Sequence, residues 1–186
     1  MLRLAPQWSA LLGASWRAWW CTLLLLAVIM PARADEVAEV ARLHRAGETA
    51  SALARADRYL ATSPQDAPMR FLKGVMLADS QRPEQAIEVF TQLTQDHPDL
   101  GEPYNNLAAL YAATGAYDKA RDALEQALRN QPRYAAAHEN LGDVYAVLAG
   151  RAYARALDLE PASRTLAPKI ALIRQLFPAA AGPVAR

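Results

Sequence analysis

The sequence predicts an all-α protein built from stacked helical hairpins, and three observations carry that expectation. Pro64, Pro98 and Pro132 are each 34 residues apart, a fixed period of the kind that marks arrays of one repeated structural unit. Between them apolar residues recur at three, four and seven, the spacing of one helical face. The clearest unit spans 101–132: Tyr104, Leu107, Ala108 and Tyr111 mark a first helix, and Ala120, Leu124, Ala127 and Leu128 a second. Gly115 supplies the break between them, since glycine takes the left-handed conformation that ends a helix, and Pro132 stops the second helix.

Residues 1–34 read as a leader. They hold no acid; Arg3 and Arg17 form a basic start, 18–30 is an apolar run, and Ala32-Arg33-Ala34 is the small-x-small pattern that precedes a cleavage site. The reading is a signal peptide cleaved after Ala34, with an uncleaved N-terminal anchor as the alternative. A run of that length is short for a membrane span, which needs about 20 residues.

The unit 35–64 is the least regular. Val40 and Leu43 mark its first helix, Gly47 its hinge, and Ala52, Ala56 and Tyr59 its second helix. Glu36 and Glu39 stand where large apolar residues are expected, as suits a terminal repeat with one face in water. The unit 65–98 restores the pattern with Phe71, Gly74, Leu77, Ala86, Phe90 and Leu93, and Pro83 fits the first turn of its second helix. Arg70 and Lys73 replace the aromatic and the leucine there, so Phe71 and Leu72 are expected to carry the inner packing, with the register of that helix left open.

The unit 133–161 begins well, with His138, Leu141, Gly142 and Tyr145, and later shows Ala149, Tyr153, Ala156 and Pro161. It is truncated. Tyr111 to Ala120 is nine steps, as is Leu77 to Ala86, whereas Tyr145 to Ala149 is four; the inter-helix turn is missing. Apolar residues keep helical spacing straight through the deletion, which predicts one helix from about Ala135 to Glu160 whose second half overhangs the stack. Residues 162–178 read as a capping helix with Thr165 as N-cap, laid over that overhang, and 179–186 as a flexible tail.

The pattern of Tyr104, Leu107-Ala108, Tyr111, Ala120, Leu124, Ala127 and Pro132 resembles the tetratricopeptide repeat. The resemblance covers roughly 35–161 and implies a right-handed α-solenoid of helical hairpins, with a concave groove lined by first helices that takes peptides or partner proteins. The groove positions are Phe71, Val75, Asp79, Glu102, Asn105, Asn106, Ala109, Glu139 and Asp143. Some family members grip a terminal carboxylate there with Lys, Arg and Asn. Only the asparagines match, so the clamp is not carried over. Glu139 and Asp143, like charges one turn apart, with Glu102 one repeat earlier, suggest instead an acidic groove for a basic segment.

The composition excludes several chemistries. All four tryptophans and the sole cysteine, Cys21, lie in the leader, and its removal leaves 17 basic against 19 acidic residues, a net charge of −2. Nucleic acid is therefore not expected as a partner, since that needs a basic stripe. His44, His97 and His138 lie one per repeat in different parts of the hairpin and form no ligand pair; Asp96-His97-Pro98-Asp99 reads as a helix end and a turn, not a metal loop. No phosphate loop, nucleophile elbow or zinc-protease helix appears. The expectation is a non-catalytic scaffold without cofactor or metal, exported to a bacterial periplasm or anchored at the inner membrane by 1–34. The alternative is an accessory subunit, or a catalytic one, of a cell-envelope enzyme complex.

Overall fold

The computed structural model describes residues 35–177; the predicted leader 1–34 and tail 179–186 lie outside them. Every regular element among the described residues is an α-helix, and the chain divides after Pro64 into two compact units.

The first unit is one hairpin, α1 (35–45) and α2 (Thr49–Thr62), closed over Val40, Ala52 and Ala56, all fully buried. Glu36 and Glu39 do more here than face water. Arg55 on α2 donates to both Glu36 carboxylate oxygens, Nε at 2.7 Å and Nη2 at 3.0 Å, and its Nη1 lies 3.8 Å from Glu39. The planar guanidinium fork thus joins the two helices.

The second unit contains two full hairpins, α3 (Ala67–Asp79) with α4 (Pro83–Asp96) and α5 (Gly101–Ala113) with α6 (Tyr117–Asn130). A 25-residue helix α7 (Ala135–Leu159) and a short α8 (Leu166–Leu176) complete it. Each helix packs on the next in sequence, and α5 also touches both α3 and α7. Phe90, Leu93, Leu124, Met69 and Met76 are the large side chains at its centre, each fully buried.

The three hinges share one backbone solution. In each, the residue two past the last helical one is left-handed: Gly47 (φ 81), Gln81 (φ 57) and Gly115 (φ 78). The two reversed hydrogen bonds of a Schellman turn follow, as in Gly115 N–H to Ala112 O (2.9 Å) and Ala116 N–H to Tyr111 O (2.8 Å). Gln81 and Arg82 repeat them to Ala78 and Leu77, at 3.2 and 3.0 Å. The middle hinge is therefore built like the others, with glutamine where glycine carries no steric penalty.

The register of α3 is the regular one, and the expectation that Phe71 and Leu72 replace Arg70 in the packing is met only in part: Phe71 packs on Phe90, but Arg70 keeps its own place in the hairpin. Arg70 is itself buried, 9 % exposed, while Phe71 and Leu72 are half-buried. Its guanidinium meets Asp96 at 2.7 Å and Gln65 at 3.1 Å, so an ion pair closes the open end of the hairpin and the alkyl stem fills the aromatic position. Asp66 caps α3 by accepting from the Met69 amide at 3.0 Å.

Helix α7 is continuous through the missing turn and is about 37 Å long. Arg151 marks where it leaves the preceding hairpin: its guanidinium sits 4.5 Å from the Tyr117 ring centroid and donates to Gly115 O at 3.2 Å. Beyond it, Ala152, Arg155, Asp158 and Leu159 are exposed. Helix α8 packs on this overhang, crossing at Gly150, where an added Cβ would lie 3.2 Å from Ile173 Cγ2. The Lys169 ammonium lies 5.0 Å from the Tyr153 ring centroid. Among the described residues no helix is long and apolar enough to cross a membrane.

Candidate functional site

The first helices of the second unit lie side by side, so residues one repeat apart share a surface. Asn140 on α7 donates to Asn105 Oδ1 on α5 at 2.9 Å, which fixes the spacing of those two helices with a neutral polar pair. Beside it opens a cavity of ≈ 350 Å³. Ala108, Ala109 and Ala112 form one wall, Val144 and Val147 another, Leu124 and Tyr117 the floor, and Asn140 with Asp143 supply the polar groups. Small residues on α5 keep the space open.

This volume is roughly twice that of an engineered cavity of about 150 Å³ that admits benzene, enough for one long side chain of a partner. An apolar lining with a single carboxylate suits a side chain with an aliphatic stem and a cationic head. Asp143 is exposed, and Glu139 is exposed one turn earlier on the same helix.

The structure brings some of the predicted groove residues together and sends others elsewhere. Ala109 and Asp143 line the cavity, and Asn105 borders it through Asn140. Phe71 lies against Phe90, ring centroids 5.6 Å apart, and belongs to the packing of the α3–α4 hairpin. Val75 is half-buried, and Asp79 is exposed at the end of α3. Asn106 turns back to donate to the Glu102 carbonyl at 2.9 Å. Glu102 itself receives both its side-chain bonds from Gln131 Nε2, at 3.0 and 3.1 Å, closing the base of the α5–α6 hairpin. Burial, with the Glu102 carboxylate as the smaller influence, pushes the Tyr134 hydroxyl above its ordinary pKa.

Of the residues lining the cavity, the predicted groove includes only Ala109 and Asp143; Ala112, Tyr117, Asn140, Val144, Val147, Leu176 and Phe177 are among those it misses. Leu176 and Phe177 form its remaining wall, contributed by the end of α8. Their apolar character marked them only as a packing face, and where α8 docks depends on the continuity of α7. The histidines take structural places: His138 Nε2 lies 3.0 Å from Pro132 O, His44 Nδ1 lies 3.3 Å from Thr49 Oγ1, and His97 caps α4. Among the described residues no group of three or more metal-ligating side chains converges.

Two family models for the tetratricopeptide repeat match the chain, over residues 40–100 and 84–133. Among solved structures it is similar to TTC0263, a thermophilic repeat protein of this kind from Thermus thermophilus. The two share 24% identity and a TM-score of 0.57, with 76% of this chain and 81% of that one covered. YrrB, described as having an unusual peptide-binding site, matches at 23% identity and a TM-score of 0.53, covering 56% of this chain and 54% of that one. The first such domain of RPAP3, bound to the HSP90 peptide SRMEEVD, matches at 13% identity and a TM-score of 0.58, covering 61% and 90%. No curated protein matches.

Proposed function

Because the chain belongs to the tetratricopeptide-repeat family, we propose that it is a non-catalytic scaffold that holds a basic peptide segment of a partner protein between its first helices. The observation that carries this reading is the α5–α7 cavity, where Asp143 stands over an apolar lining formed by Ala108, Ala112, Val144 and Val147. A lysine or arginine entering there buries its stem against alanine and valine and brings its charge to the carboxylate. The peptide-binding relatives support the general mode, while the charge of this cavity is opposite to what an acidic segment such as SRMEEVD needs.

The leader pattern of 1–34 supports a location on the outer side of the inner membrane, with the scaffold either released after Ala34 or tethered by the apolar run. Selection of random peptides on the purified protein tests the groove. The expected result is enrichment of Lys or Arg flanked by apolar residues, lost with Asp143→Asn. Enrichment of acidic peptides, or selection unaffected by Asp143→Asn, overturns the reading.

A further inference from the structure

The truncated fourth repeat leaves a docking face without its usual occupant. In the two preceding hairpins a small residue on the first helix receives a large one from the second, 16 positions later. An added Cβ on Gly74 would lie 2.7 Å from Phe90, and Ala108 and Leu124 are both buried. Gly142 holds the same place in α7, and its counterpart, with five residues deleted, is Tyr153. Tyr153 cannot reach it. The two lie 11 residues apart on one straight helix, about 16 Å along its axis, and nothing lies within 4 Å of an added Cβ at Gly142.

The face is a continuous one. Eleven residues are three turns plus about 20°, so Gly142 and Tyr153 point the same way, with Ala149 between them; Tyr145 borders the face on the α6 side, its hydroxyl donating to Glu125 Oε1 at 3.1 Å. Helix α8 extends the face. Lys169 reaches over Tyr153, and Leu172, three residues later, shares its flank. Among the described residues the exposed large apolar side chains are Tyr145 (47 % exposed), Leu159 (84 %), Leu172 (61 %) and Leu176 (71 %), and all four sit on α7 and α8. A terminal element usually turns a polar face outward; this one does the reverse.

We propose that a second copy of the chain covers this face, with the two α7 helices antiparallel about a two-fold axis near residues 147–148. Gly142 then receives the partner's Tyr153, and Tyr153 the partner's Gly142. The contact that closes the earlier hairpins within one chain is made here between chains. The pairing closes on itself, as an isologous interface must. It also matches charge: Glu139, one turn before Gly142, comes against the partner's Lys169. The residue types that suit a second helix, Ala149, Tyr153 and Ala156, are present in α7 for this use, and Leu172 is covered at the same time.

Two measurements on the full chain in mild detergent decide it. Sedimentation equilibrium is expected to show a concentration-dependent dimer, and Gly142→Leu is expected to raise its dissociation constant at least tenfold with an unchanged circular dichroism spectrum. In a Cys21→Ser background, the Gly142→Cys, Tyr153→Cys chain is expected to form a disulfide-linked dimer on mild oxidation. Within one chain the two sulfurs are too far apart, since bridged Cα atoms lie within about 7 Å. A monomer at about 100 µM, a dimer or larger assembly indifferent to Gly142→Leu, or failure of the two cysteines to cross-link overturns the proposal.

Discussion

Gly74 and Gly142 hold equivalent positions two repeats apart, and one substitution, glycine to alanine, has opposite consequences at the two. At Gly74 the new Cβ would lie 2.7 Å from Cε1 and Cζ of Phe90 and 3.1 Å from Cδ1. Carbon atoms rest about 3.5–4.0 Å apart, so the ring must retreat by roughly 1 Å. Phe90 is fully buried and packed by Phe71 with centroids 5.6 Å apart, so α3 and α4 separate instead. Overpacking of this kind costs about 1–3 kcal/mol, against which helix propensity returns up to about 1 kcal/mol. At Gly142 nothing lies within 4 Å, and the propensity gain stands alone. The propensity contribution is common to both, so the difference between the variants isolates the steric one, about 1–3 kcal/mol. In urea, where slopes for small domains are about 1–3 kcal/mol/M, the midpoints should separate by roughly 1 M, with Gly142→Ala above the parent. The experiment is run at low micromolar concentration with far-ultraviolet circular dichroism. Midpoints that coincide, or a Gly74→Ala variant as stable as Gly142→Ala, would refute the assignment of Gly74 as a contact glycine.

The hinge, the Arg70–Asp96 ion pair and the first hairpin each give a further test. Gln81→Gly relieves a left-handed non-glycine residue (φ 57) and is expected to stabilise by about 0.5–1 kcal/mol, the left-handed penalty of about 1–2 kcal/mol less the greater freedom of glycine in the unfolded chain; thermal melts read it. Asp96→Ala strips Arg70 of its partner and is expected to cost about 1–3 kcal/mol, with Arg70→Met in the same chain restoring part of that loss because the buried charge is gone. In the first hairpin the hydrogen bond from Arg55 holds the Glu36 carboxyl below its ordinary value despite the opposing effect of burial. A depressed carboxylate contributes stability that is present above its unfolded pKa and lost as the pH falls through the lower folded one. Amides of α1 should therefore lose hydrogen-exchange protection below about pH 4.5, near the ordinary carboxylate range, and Arg55→Gln should weaken that pH dependence, leaving the part that Arg42 imposes on Glu39.

What could be read from the sequence was what the repeat period constrains. Gly115 and Gly47 announced their hinges because a left-handed residue favours glycine, whereas Gln81 carries the same turn without the same signal. The period also locates the missing turn, and the stripe through Leu141, Tyr145, Leu148, Ala152, Ala156 and Leu159 is enough to predict a straight α7. Arg70 was misjudged because a charged residue at an aromatic position looks like an exception until Asp96, 26 residues away, is seen to pair with it at 2.7 Å. Glu102 was placed in the groove by its position on a first helix, and only Gln131 shows that its carboxylate is engaged at the hairpin base. Side-chain partners across a hairpin are set by packing, which helical periodicity does not encode.

One deletion accounts for several features that would otherwise need separate causes. With the turn gone, α7 runs past the α5–α6 hinge, where Arg151 grips Gly115 O and the Tyr117 ring. The overhang then provides the surface on which α8 lands, with Ile173 against Gly150. A helix docked there runs back along α7 and delivers Leu176 and Phe177 to the α5–α7 cavity, so the wall of the candidate binding site depends on the missing residues. Restoring a five-residue turn between Tyr145 and Ala149, patterned on Thr114-Gly115-Ala116, would fold the second half of α7 back onto Gly142. Such a chain should lose the Phe177 wall and the exposed face together, which couples peptide selection and self-association in one variant. If the insertion altered neither, the continuity of α7 would not be what positions α8.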